Sequence, residues 1–419
     1  MLPSELPDLI YDWNANPGAA SFPPRRVGLF DETLRDGLQS PSVRQPTLEE
    51  KLGLIRLMAE IGIDEVNIGL PFAGERFLRE AAILAREIFD QELPLECLCG
   101  ARVLQADIEP IVDLSQSVGG PISAGLFVGC SPIRRYAEGW ELADQLRLVC
   151  EAVRFAVAHG LRVMFITEDT TRTDPETMRQ IYGAAIAAGA SQVVISDTVG
   201  HATPTGAARL VRFMRELAGP DVGIDWHGHR DRGLATACAL AAIEAGADRV
   251  QATALGIGER SGNTPMEQVL VNLHLLGYAG WDLMYLPEYC RLAAEICGVD
   301  LPVNQPIVGA DAFRTATGVH AAAIAKAMET GHQWLIDHVY SSVPASVLGR
   351  SQTIEIGPLS GSSNVRHVLS RIGVVAPDEE LVQRILRVAK SSNRVMSEIE
   401  LLRTVVGVFT TLFKPERET

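Results

Sequence analysis

The chain has no cationic excess. Its 37 Lys and Arg stand against 52 Asp and Glu, a formal net charge of -15. A nucleic-acid partner would require a basic footprint, so that class is excluded, whereas an anionic small molecule can still be held by a local cluster of Arg and metal. No apolar run approaches membrane-spanning length, and no basic segment followed by an apolar stretch opens the chain, so neither a membrane partner nor a secretory signal is expected. Seven scattered Cys, of which only Cys97 and Cys99 lie close together, give no disulfide framework and suit a reduced, cytoplasmic compartment. There is no repeat or low-complexity tract. No GxGxxG follows the first apolar run, which removes the basis for a dinucleotide reading.

What is present is rhythm. Hydrophobic residues make up 47% of 419 positions, enough for one large buried core and an appendage. After a Pro-rich N-terminal extension (1–26), short apolar runs begin near residues 27, 65, 94, 122, 162, 192, 222 and 248. Between them lie amphipathic stretches rich in Ala, Leu, Glu and Arg. Several end on a glycine suited to a helix C-cap: Gly62, Gly160, Gly189 and Gly246. Eight strand–helix units over residues 27–300 predict an α/β fold, a (β/α)8 TIM barrel. The rhythm stops near residue 300. Residues 301–419 read as a mostly helical accessory region without a full regulatory domain, with a loop over 341–364 and late helices over 377–390 and 395–412.

Chemically capable residues sit where these strands end: Arg35 and Asp36, Glu168, Asp197 and Thr198, His227 and His229, Glu259 and Asn263. A barrel gathers such ends on one face, where active sites lie. His227 and His229 are two residues apart on a strand and so share a face, a spacing suited to one metal ion. Asp36, at the mouth of strand 1, supplies the matching carboxylate. Taken alone, a His-x-His pair is also compatible with structural histidines. A divalent ion there would polarise a bound 2-oxo acid, with Arg35 beside the developing alkoxide and Thr198 on the substrate carboxylate. The segment GIGERSGN (256–263) has glycines for a tight turn, with backbone N–H groups available to a CoA thioester.

At these residues the chain resembles a known family. LFDETLRDGLQS (29–40) resembles the D-x-T-L-R-D-G-x-Q signature of the metal-dependent barrels. These include 2-isopropylmalate, citramalate and homocitrate synthases and hydroxymethylglutaryl-CoA lyase. TEDTTRTD (167–174), DTVGHATP (197–204), HGHRDRGLA (227–235), the stretch 244–269, VGADAFRTATGVHAAAI (308–324) and GPLSGSSNV (357–365) match family segments in the same order.

The resemblance implies condensation of acetyl-CoA with a 2-oxo acid, with metal-dependent C–C cleavage by a lyase as the alternative. It implies one divalent metal ion on Asp36, His227 and His229, with Asn263 on or beside it. Arg35 and Thr198 would bind the oxo acid, and Glu168 would act near the acyl methyl. Gly256, Gly258, Glu259 and Gly262 would approach the acyl-CoA. His320 would be an acid or base, supplied across a homodimer interface.

The chain also departs from the pattern. Arg230 replaces an Asn after the His-x-His, Leu38 replaces a common Glu, strand 4 runs into Cys130-Ser131-Pro132, and Ala321-Ala322 follow His320. The oxo acid is therefore left open between apolar and dicarboxylic forms, with Arg134, Arg135 or Arg230 as the second cation a dicarboxylate needs.

Overall fold

The computed structural model describes residues 9–14 and 26–412. Most of the expected N-terminal extension lies outside them. Eight parallel strands close into a barrel in sequence order: β1 (Gly28–Asp31), β2 (Glu65–Asn67), β3 (Glu96–Arg102), β4 (Ile122–Gly129), β5 (Val163–Glu168), β6 (Gln192–Asp197), β7 (Gly223–Gly228) and β8 (Arg249–Ala252). The seam closes in register, with Gly28 opposite Arg249 and Asp31 opposite Ala252. Every predicted apolar run overlaps one of these strands, and β3 extends two residues past the run that begins at residue 94. Buried by helices outside and side chains inside, such strands need no polar face, and so read as continuous apolar runs.

Gly62, Gly189 and Gly246 end helices in the left-handed conformation, as their spacing predicts, while His159 takes the cap beside Gly160. An additional short helix, Pro132–Glu138, interrupts the crossover after β4. Ser131 caps its N-terminus, and Pro132 lies in its first turn.

Phe30, Leu98, Met164 and Val194 pack in the barrel interior, with Ile166 against them. Below them, charged residues plug the N-terminal end. Arg249 donates from Nε to Asp225 (2.9 Å), pairs with Glu65, and lies 5.0 Å over the Phe30 ring. Gly28 admits this guanidinium stem, because a Cβ there would meet Arg249 at 3.0 Å.

Residues 302–412, with 9–14, belong to a separate compact unit. Its helices are Gly318–Thr330, Gln333–His338, Ser362–Arg371, Glu379–Ser391 and Glu398–Leu412. The last three share a core that includes Val365, Leu369, Val382 and Ile385. Asp378 accepts the Leu381 N–H and begins the fourth helix two residues later than its apolar period suggests. The expected loop over 341–364 is partly structured, since Thr353–Ile354 pairs in parallel with Arg314–Thr315. Among the described residues no helix is long and apolar enough to cross a membrane, and all seven Cys are free.

Candidate active site

The turn after β1 builds the first side of the site. The Glu32 carbonyl accepts the N–H groups of Arg35 (3.1 Å) and Gly37 (3.0 Å), which folds Arg35 and Asp36 back over the mouth. That turn is tied to the far side of the seam, because Thr33 Oγ1 accepts the Ala254 N–H at 2.8 Å. Strand β7 builds the second side. His227 Nε2 and His229 Nε2 lie 3.5 and 3.6 Å from Asp36 Oδ2, and all three residues are buried.

The electrostatics suit a cation. Burial pushes the His227 imidazole down to about 3 and lowers that of His229, so both rings are neutral at physiological pH. Burial also opposes charge on Asp36, but Arg35 and the facing imidazoles outweigh it and hold the carboxyl at about 2. Two neutral imidazoles and one carboxylate are a ligand set for a divalent ion. Asp36 Oδ1 and Asn263 Oδ1 are buried with no hydrogen-bond partner, a cost that a bound cation would remove. Both side chains pack against Gly258: a Cβ there would come 3.2 Å from Asp36 Oδ1 and 2.1 Å from Asn263 Nδ2. The residues present therefore fit a metal ion.

Arg35 is held rather than free. Its guanidinium bonds Glu32 Oε2 at 2.7 Å, and Glu32 also accepts from Asn67 Nδ2 at 3.3 Å. Burial raises the Glu32 carboxyl to about 7, with Arg35 pulling the other way. Glu168, at the end of β5, is 38% exposed at its side chain, with Arg134 Nε 3.9 Å away. Thr198 Oγ1 accepts the Asp169 N–H at 2.8 Å, which leaves the hydroxyl proton to donate into the mouth.

Of the predicted residues, Arg35, Asp36, Glu168, Thr198, His227, His229 and Glu259 line one cavity of about 200 Å³. Asn263 is buried behind it, with its backbone bridged to His229. Asp197 turns away and accepts the N–H groups of His201 and Ala202 in the loop after β6. The 256–263 loop is less open than its composition suggests. The amides of Gly256, Ile257, Gly262 and Asn263 are all bonded to carbonyls of residues 253–259.

His320 belongs to the separate helical unit, exposed near the start of Gly318–Thr330, with its ring stacked 4.2 Å from that of Tyr340. None of the three arginines considered for a second carboxylate lines the cavity. Arg134 pairs with Glu138 and stacks on Trp140, Arg135 reaches Thr177, and Arg230 bonds backbone carbonyls. Sequence reasoning missed Glu32, Asn67 and Arg260. Glu32 carried a signal: it is a carboxylate directly after an apolar strand.

Residues 26–291 match the HMGL-like family. The homocitrate synthase of Methanopyrus kandleri is 34% identical over 88% of this chain and 88% of its own length. The 2-isopropylmalate synthase of Sulfolobus acidocaldarius is 32% identical over 89% of this chain and 93% of its own. The fold also resembles that of the hydroxymethylglutaryl-CoA lyase from Pseudomonas aeruginosa. There the TM-score is 0.55 at 20% identity, over 65% of this chain and 93% of that one.

Proposed function

This chain belongs to the HMGL-like family and is an enzyme of the acyl-transferring, condensing type, and from that premise we propose that it joins acetyl-CoA to a 2-oxo acid. The acetyl methyl carbon bonds to the oxo-acid carbonyl carbon, water cleaves the thioester, and a 2-substituted malate and free CoA leave. The observation that carries this reading is the convergence of Asp36, His227 and His229 with Arg35 and Glu168 on one cavity.

Asp36, His227 and His229 would hold one divalent ion, with Asn263 on or beside it. When bound, that ion supplies Lewis-acid polarisation of a 2-oxo acid. Arg35, locked by Glu32, presents a fixed positive charge where an alkoxide develops. Thr198 donates to the substrate carboxylate. Glu168 takes the proton from the acyl methyl, a task that suits a half-exposed carboxylate at the cavity rim. Glu259, which lines the cavity, would face the acyl-CoA, while the glycines Gly256, Gly258 and Gly262 lie outside the lining and would serve only to shape the loop that carries it. An acid or base role for His320, contributed by a second copy in a homodimer, completes the proposal.

The oxo acid is apolar in this reading. Phe127 on β4 and Ile166 on β5 form the wall across the barrel from the ligands, with Leu70 beside them. The two arginines lining the cavity are already engaged, Arg35 by Glu32 and Arg260 by Asp231. A second carboxylate would be desolvated there without a partner of its own. Thiol release measured across a panel of 2-oxo acids tests this: branched or short apolar acids should outperform oxaloacetate and 2-oxoglutarate. A preference for the dicarboxylates overturns the substrate assignment.

A further inference from the structure

Arg230 directly follows the ligand pair, yet its side chain does not enter the cavity. It runs into the loop Leu255–Asn263, whose path is unusual. Leu255 (φ 56°) and Arg260 (φ 55°) are left-handed without being glycine, and Gly256 (φ 64°) and Gly262 (φ 101°) share that region. The two limbs of the loop pass very close, since a Cβ on Gly262 would sit 1.9 Å from the Gly256 carbonyl oxygen. Left-handed backbone at an ordinary L-residue is unfavourable and persists only where surrounding contacts over-determine it.

Arg230 supplies those contacts on both limbs. Its N–H donates to the Gly262 carbonyl at 2.9 Å, Nε to the Ser261 carbonyl at 2.6 Å, and Nη1 to the Leu255 carbonyl at 3.2 Å. The other polar group of Leu255, its N–H, donates to buried Glu267 at 3.0 Å. Both backbone groups of a left-handed leucine are therefore held by side chains, one the buried Glu267 and the other the half-buried Arg230. The loop so closed carries Asn263 to its bridge with His229 and places Glu259 and Arg260 on the cavity wall.

We propose that Arg230 is a positioning residue: its guanidinium clamps the start and the end of the 255–263 loop together, and so sets Asn263 against the ligand cluster and Glu259 on the cavity wall. Bridging Leu255 and Ser261 at once needs a planar fork with donors on two of its nitrogens. Lysine, with one terminal nitrogen, can satisfy only one limb well. This clamp acts on loop geometry, whichever acyl or oxo substrate is used.

The test compares wild type with Arg230→Met and Arg230→Lys by backbone hydrogen exchange, thermal unfolding and Co²⁺ binding in competition with a chelating dye. In Arg230→Met, exchange across residues 255–263 should accelerate tenfold or more while the barrel strands keep their protection. Co²⁺ should bind at least tenfold more weakly with the unfolding temperature nearly unchanged, and Arg230→Lys should recover part of both losses. If Arg230→Met does not fold, Arg230→Lys carries the same comparison. Unchanged exchange across 255–263, or acceleration shared equally by the barrel strands, overturns the proposal. The exchange comparison needs no bound metal, so a failure of the metal reading in wild type is told apart from a failure of this one.

Discussion

His227 Nε2 and His229 Nε2 stand 3.3 Å apart, both turned toward Asp36 Oδ2. Replacing His229 by Ala should remove a ligand from a site built at the mouth, outside the packed interior. Bound metal and turnover should both be lost, and the metal-free unfolding temperature should stay within a few degrees of wild type. Metal analysis and calorimetry check this. Loss of fold together with activity would make His229 a structural residue.

Glu168 is the expected proton acceptor and not a ligand. Glu168→Gln should lower turnover by about 10²–10⁴-fold, the usual scale for a positioned acid or base, with metal content nearly unchanged. Steady-state kinetics paired with metal analysis separates the two effects. Metal loss in Glu168→Gln would contradict the assignment.

Glu32 makes stability depend on pH. Its carboxyl is pushed up from 4.5 to about 7, chiefly by burial. A carboxyl raised in the folded state adds stability that is fully present below the unfolded value and lost as pH rises through the folded one. Metal-free wild type should therefore lose roughly 3 kcal/mol relative to Glu32→Gln as pH rises from 4.5 to above 7. Urea unfolding of both proteins across that window measures it, and parallel pH profiles would contradict it.

In the proposed assembly His320 would act from a second copy. His320→Ala and Asp36→Ala should each be nearly inactive, while a mixture of the two, unfolded and refolded together, should regain up to about a quarter of wild-type turnover. Half the random dimers would then carry one intact pair. A mixture as inactive as its parents rules out sharing across the interface.

Much of this molecule is legible in its sequence, for identifiable reasons. The barrel strands are visible because parallel strands covered on both sides require continuous apolar runs. The candidate metal site is visible because period two places His227 and His229 on one face, and closure brings β1 within reach of β7. What escapes is set by long side chains and distant partners. Glu32 meets Asn67 only because β1 and β2 are neighbours in the barrel. Arg230 is a basic residue beside the site, and nothing in its neighbours announces that its guanidinium turns into a loop 25 to 31 residues onward. The two-residue ladder at Arg314–Thr315 and Thr353–Ile354 is too short for any periodicity to reveal.

Formation of a carbon–carbon bond is followed most directly through the acetyl methyl carbon. Acetyl-CoA labelled with ¹³C in that methyl is incubated with metal-loaded protein and 2-oxoisovalerate, and product and free thiol are quantified together. The label should appear bonded to the former oxo-acid carbonyl carbon, with one free CoA for each product and little CoA released when the oxo acid is omitted. Thiol release that ignores the oxo acid, or rapid cleavage of a 3-hydroxyacyl-CoA with no labelled condensation product, would contradict condensation.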